Sequence, residues 1–94
     1  MAITVRFVGS LRASVSKSEL SLSIKKPVSL NRLIETILKK NPSLERALTS
    51  PGLSNPRLNT LMLVNGKEIS VLNGMNTVLK DGDELVIVPV VHGG

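Results

Sequence analysis

The sequence predicts an α+β domain in which one amphipathic helix packs across a mixed sheet of about five strands. Three observations carry this prediction. Apolar and polar residues alternate over Ile3 to Val8 and again over Glu19 to Ile24. One stretch from Leu30 to Leu38 has helical periodicity, and the last apolar run, Leu85 to Val90, is nearly uninterrupted and β-branched.

The first alternation puts Ile3, Val5 and Phe7 on one side of a strand and Thr4, Arg6 and Val8 on the other. The second does the same with Leu20, Leu22 and Ile24, so the small polar stretch from Gly9 to Ser18 joins two antiparallel strands as a hairpin. The period then changes. Leu30, Leu33, Ile34, Ile37 and Leu38 fall at i, i+3, i+4, i+7 and i+8, one stripe of a helix. Ser29 stands where its hydroxyl can accept from first-turn amides, and Asn41-Pro42 ends the helix because proline disfavours helical geometry in the residue before it. Ser43 is placed to cap a short helical turn through Leu48, and Pro51, Gly52 and Pro56 mark a loop.

Leu61 to Val64 reads as a short strand, and Asn65-Gly66 suits a type I′ turn that leads back into Glu68 to Val71. Met75, Val78 and Leu79 are expected to plug the core under the turns at Asn73-Gly74 and Asp81-Gly82. The run after Glu84 reads as a central strand covered by the helix. A hairpin, a helix, a second hairpin and a final strand parallel to and beside the first form the β-grasp, with a right-handed crossover. A ferredoxin-like fold needs a second long helix, which the Asn- and Gly-rich stretch from Ser70 to Asp83 does not supply. The expected core holds Val5, Phe7, Leu33, Ile34, Ile37, Leu63, Leu85 and Ile87. The expected domain is 1–89, followed by a flexible tail, 90–94, that ends in Gly-Gly.

Composition narrows the function. A chain of 94 residues is one domain, too short for a cleft between two, so function is expected on a surface or a terminus. The absence of Cys excludes disulfides, thiol nucleophiles and thiolate metal sites. No side chain is expected to act as a catalyst, hold a metal or retain a cofactor. Asp81, Asp83 and Glu84 lack the ligand pattern of a calcium loop and read as a turn. With no signal-like or membrane-length apolar segment, a cytoplasmic protein with no membrane contact is expected. The net charge of +5 is concentrated before Ala47 and permits nucleic-acid contact, but Phe7 is the one aromatic, so no stacking platform for bases exists and a solvated basic surface is the expected reading.

The C-terminal residues are more informative. Gly93 and Gly94 follow a core strand and Pro89 directly, and glycine, lacking a Cβ, makes a thin strand of backbone that can enter another protein's active site. Fully extended, the five residues after Pro89 reach ~16 Å at about 3.3 Å per residue. A frayed end is the bland alternative. His92, the one histidine, reads as a spacer in this tail. Strand alternation turns Val8, Val86 and Val88 outward at the root of the tail, where they form either a docking patch or ordinary sheet surface.

Val64-Asn65-Gly66-Lys67-Glu68, then Leu79-Lys80-Asp81-Gly82-Asp83-Glu84, then Pro89-Val90-Val91-His92-Gly93-Gly94 together resemble the small subunit of molybdopterin synthase and its sulfur-carrier relatives. The His-Gly-Gly ending is also similar to that of the ubiquitin-related modifiers. Thiamine-type carriers are similar too, but shorter, lacking a segment like Ser43 to Thr60. The chain departs from the family pattern at Glu68, where an apolar residue aligns.

The resemblance implies a ubiquitin-like carrier that is a substrate rather than an enzyme. Its Gly94 carboxylate would be adenylated by an activating enzyme with ATP and turned into a thiocarboxylate by a sulfur donor, with Gly93 on the approach path. Implied acceptors are the large subunit of molybdopterin synthase, tRNA in a thiolation reaction, or protein lysines joined through Gly94. The competing class is a small basic module, for RNA or another partner, with an inert tail.

Overall fold

The computed structural model describes residues 2–9, 17–44 and 60–89. Strands β1 (Ala2–Phe7), β2 (Glu19–Ser23), β4 (Thr60–Val64), β5 (Lys67–Glu68) and β7 (Glu84–Pro89) form one sheet in the order β2-β1-β7-β4-β5. The two central strands, β1 and β7, run parallel, with Val5 opposite Leu85 and Phe7 opposite Ile87. Their neighbours β2 and β4 pair antiparallel to them. A two-stranded ladder of β3 (Val28–Ser29) and β6 (Val78–Leu79), which the sequence reading did not anticipate, ties the start of the helix to the turns before β7.

Helix α1 (Leu30–Lys40) follows β3 directly. The Ser29 hydroxyl accepts from the Arg32 amide at 3.2 Å, satisfying one of the unpaired first-turn donors, and Lys39 and Lys40 stand at the negative end of the helix dipole. At the other end the Asn41 side-chain amide donates to the Ile37 carbonyl at 2.9 Å before Pro42 breaks the ladder. Leu30, Leu33, Ile34 and Ile37 are buried against Ile3, Val5, Phe7, Met62, Leu85 and Ile87 of the sheet, with Leu44, Val64, Ile69 and Leu79 closing the core. Burying each such side chain contributes about 1.5–3 kcal/mol.

Two expectations about the core need correction. Leu63 is only half-buried, and the inward residues of β4 are Thr60, Met62 and Val64. Leu61 to Val64 is apolar throughout, so its pattern fits either register; pairing decides, because Leu63 stands opposite the outward Val86. Val78 is exposed at 60%, while Leu79 is buried and Met75 partly so, since β6 is a short strand whose alternate residues face opposite ways. The return strand β5 is also shorter than expected and becomes a 3-10 turn, Ile69–Val71. The turn before it matches expectation: Asn65 and Gly66 have φ of 52° and 84°, both positive as a type I′ turn requires. The part of the Ser43 to Leu48 turn beyond Leu44, and the tail 90–94, lie outside the described residues.

A polar cluster fixes the start of β7. Asp83, buried among the turns, accepts from the Lys80 amide at 2.8 Å and the Asn65 side-chain amide at 3.0 Å, while Asn65 accepts from the Glu84 amide at 3.0 Å. Burial alone would raise the Asp83 carboxyl, but these hydrogen bonds and the Lys80 charge outweigh it and hold the group below its ordinary value of 3.8. A depressed folded-state value gives stability that is present above the unfolded-state value and lost as pH falls through the folded one. We therefore expect the urea midpoint to drop on acidification below about pH 4, and Asp83→Asn to remove part of that drop. Asp83→Ala, which strands two donors, is expected to cost about 1–3 kcal/mol at neutral pH.

Candidate functional site: the helix-free face of the sheet

The face of the sheet opposite the helix is organised around β7. Register places Glu19, Arg6, Val86, Leu63 and Glu68 in one row from edge to edge. The next row, toward the end of β7, holds Val88 opposite Leu61, with Val8 beside them: its amide donates to the Ile87 carbonyl at 3.2 Å and carries β1 alongside β7. Val8, Val86 and Val88 are all half-buried and outward, as the alternation predicts. The sequence reading missed Leu61, 38% exposed, and Leu63, which complete the patch. The signal for them was present: once β7 is read as a central strand, whatever pairs with Val86 and Val88 must share their face.

Charged groups bound the patch. The Arg6 guanidinium lies 3.0 Å from the Glu19 carboxylate and 3.3 Å from that of Glu84, so one cation is shared between two acids on the β2 side. These groups are about half exposed, and such pairs contribute at most about 1 kcal/mol each. On the far side Glu68 stands opposite Leu63, its carboxylate accepting from the Ser70 amide. The departure at Glu68 thus falls on the rim of the apolar surface and leaves its centre intact.

The end of β7 is held by close packing. Gly9 has a φ of +63°, and a Cβ there would stand 3.1 Å from Cγ of Pro89. A side chain at position 9 would be strained in its backbone and would push on the last described residue of β7. Gly9 therefore packs closely against Pro89, the last described residue of β7, and only the geometry reveals it. His92, Gly93 and Gly94 lie outside the described residues. Among the described residues no helix is long and apolar enough to cross a membrane, and no group of three His, Asp or Glu side chains is placed to hold a metal ion.

A sequence model of the ThiS family matches residues 5–94. That span includes Ser43 to Thr60, so the length of this segment does not separate the chain from the family. A protein of Archaeoglobus fulgidus assigned as a sulfur carrier is 34% identical over the whole of both chains. The solution structure of small archaeal modifier protein 1 from Methanosarcina acetivorans superposes with a TM-score of 0.77 at 30% identity, covering 99% of this chain and 96% of that one. Urm1 from Trypanosoma brucei also superposes with a TM-score of 0.77, at 29% identity, covering 99% and 95% of the two chains. The described sheet and helix are thus the β-grasp of the ubiquitin-like proteins, and the chain belongs to the ThiS family, among relatives that are sulfur carriers and small protein modifiers.

Proposed function

We propose that this protein is a sulfur carrier whose reactive group is the Gly94 carboxylate, and that the outer-face patch seats the enzyme that activates it. The observation that carries the reading is the contiguity of Val8, Val86, Val88, Leu61 and Leu63 around the strand from which the tail departs. Any enzyme that takes Gly94 into its nucleotide site must lie against the end of β7, and an apolar surface there is desolvated without stranding charge.

The chemistry begins with attack of a Gly94 carboxylate oxygen on the α-phosphorus of ATP. The bond from that phosphorus to the β-phosphate bridge breaks, and pyrophosphate leaves. A persulfide sulfur of the donor then attacks the acyl carbon and expels AMP. A thiol reduces the resulting acyl disulfide, being oxidised to a disulfide itself, and the glycyl thiocarboxylate remains. The carrier contributes no acid or base to these steps; its part is reach and presentation. The downstream acceptors consistent with its relatives are a molybdopterin precursor held by the large subunit of the synthase, tRNA, and protein lysines.

Intact-mass measurement after incubation with ATP, an activating enzyme and a persulfide donor tests the reading. The expected product gains the difference between sulfur and oxygen and reacts with thiol-selective alkylating reagents at Gly94. A chain whose mass never changes under conditions that load a related carrier would leave the basic-module class in its place.

A further inference from the structure

Charge is divided between the two sides of the molecule. Five of the six acids among the described residues, Glu19, Glu68, Asp81, Asp83 and Glu84, stand on the outer face or in the turn before β7. Helix α1 and the connection that leads into it carry Lys25, Lys26, Arg32, Lys39 and Lys40, all exposed, against Glu35 alone. None of these five cations lies within ion-pair distance of an acid among the described residues, whereas Arg6 on the outer face is shared by Glu19 and Glu84. Arg32, Thr36 and Lys40 recur at i, i+4 and i+8, which makes them one stripe along the helix. The Thr36 hydroxyl donates to the Arg32 carbonyl at 3.1 Å, and Thr36 and Lys40 share a recess with Ile24 and Val28, so the stripe faces β2. Lys25 and Lys26 lie in the connection from Ile24 to Val28, where the helix begins. At 1.5 Å per residue the stripe spans about 12 Å, and a nucleic-acid duplex presents one phosphate charge per ~1.7 Å of its axis, so roughly seven charges pass along it.

The rest of this surface selects the partner. The large apolar side chains that stand exposed among the described residues are Leu61, Val71 and Val78, none of them in α1 or in the connection before it. Protein partners are gripped by apolar or aromatic anchors, and membranes by apolar side chains that insert; the basic row offers neither a protruding anchor nor an insert. Unpaired bases need an aromatic platform, and Phe7, the one aromatic, is buried in the core. A duplex needs only cations set along its phosphates. We infer that the row formed by Lys25, Lys26, Arg32, Lys39 and Lys40 docks double-helical RNA through its phosphate backbone, without reading its sequence. The choice of RNA over DNA rests on the sulfur-carrier reading, in which the nucleic acid among the acceptors is RNA. The acids around the outer patch repel the same phosphates, so RNA is directed to the helix side and the activation surface stays open.

The test uses the full-length protein and a fluorescent RNA duplex. Binding is expected with a Kd of about 10⁻⁴–10⁻⁶ M at physiological salt, falling tenfold or more in affinity as salt is raised from about 50 to 200 mM. Backbone amide signals are expected to move at Lys25, Lys26, Arg32, Thr36 and Lys40, and not at Val86 or Leu63. Arg32→Glu and Lys40→Glu are each expected to weaken binding about threefold to tenfold and to reduce the salt slope by about one. Lys67→Glu makes the same change in net charge on β5 and is expected to weaken binding less than about twofold. Equal losses in the three variants would overturn the inference, because net charge and not the row would then govern binding. Signals that move on the outer face instead would overturn it too. So would polyuridine, polyglutamate or phosphatidylglycerol vesicles that bind as tightly as the RNA duplex, or a DNA duplex of the same sequence that binds more tightly. None of these measurements uses ATP, the activating enzyme or Gly94, so their failure is separate from a failure of the mass measurement that tests the carrier reading.

Discussion

Removal of Gly93 and Gly94 is expected to abolish ATP-dependent activation while leaving thermal unfolding where it is. The two consequences come from different parts of the chain. Every buried core residue among those described lies between Ile3 and Ile87, and the described hydrogen bonds that hold β7 involve nothing beyond Pro89. Loss of the last two residues therefore removes none of the described core contacts, and the expected shift in Tm is within about 2 °C, well under the 4–8 °C that ~1 kcal/mol produces in a domain of this size. Activation has a stricter requirement. The truncated chain ends at His92, shorter by roughly 7 Å at full extension, and its carboxylate stands beside an imidazole that must enter a pocket shaped for bare backbone. Mass spectrometry for the acyl-adenylate, or pyrophosphate release measured with the truncated chain, reads the outcome. Adenylate on the shortened chain would refute the assignment of Gly94, whereas a large fall in Tm would show that the tail is part of the folded domain.

Most of the architecture was legible because the physical signals were local and mutually consistent. Alternation at Ile3, Val5 and Phe7, the five-residue stripe from Leu30 to Leu38, and positive-φ residues at Asn65-Gly66 each left one favourable conformation, and all three agree with the observed elements. Legibility failed where a sequence signal was degenerate. Leu61 to Val64 has no polar residue to fix its phase, and only pairing with β7 assigns Met62 to the core and Leu63 to the surface. Strands β3 and β6 are two residues each, too short to carry a period, and form because the Leu30 amide meets the Thr77 carbonyl at 2.7 Å and draws Val28–Ser29 against Val78–Leu79. The candidate site divides the same way. Val8, Val86 and Val88 followed from alternation within single strands. Leu61 and Leu63 required the strand order, and Gly9 required the distance to Pro89.

The strand β7 should separate folding from recognition residue by residue. Leu85 is fully buried between Val5 and Val64, and replacing it with Ala removes side-chain volume that its neighbours cannot refill, at a cost of about 2–5 kcal/mol. Against a total stability of about 5–15 kcal/mol for a small domain, that is enough to lower Tm by 10 °C or more. Adenylation of the fraction that remains folded is expected to be normal, because Leu85 never reaches the outer face. Val88 stands three residues on and on the other side of the sheet. An aspartate there stays hydrated in the free protein and loses about 1 kcal/mol of strand preference. When the activating enzyme closes over the patch that carboxylate is desolvated against apolar surface, which costs about 2–4 kcal/mol of docking and raises the KM for the carrier roughly 30-fold or more. Reversing Lys39 and Lys40 to Glu provides the contrast, since both lie on the helix side of the molecule and act on this encounter only through screened long-range attraction. Unfolding curves and initial rates of pyrophosphate release on the three variants decide the matter. If the lysine reversal slows activation more than Val88→Asp does, docking is electrostatic and Val8, Val86, Val88, Leu61 and Leu63 are ordinary sheet surface.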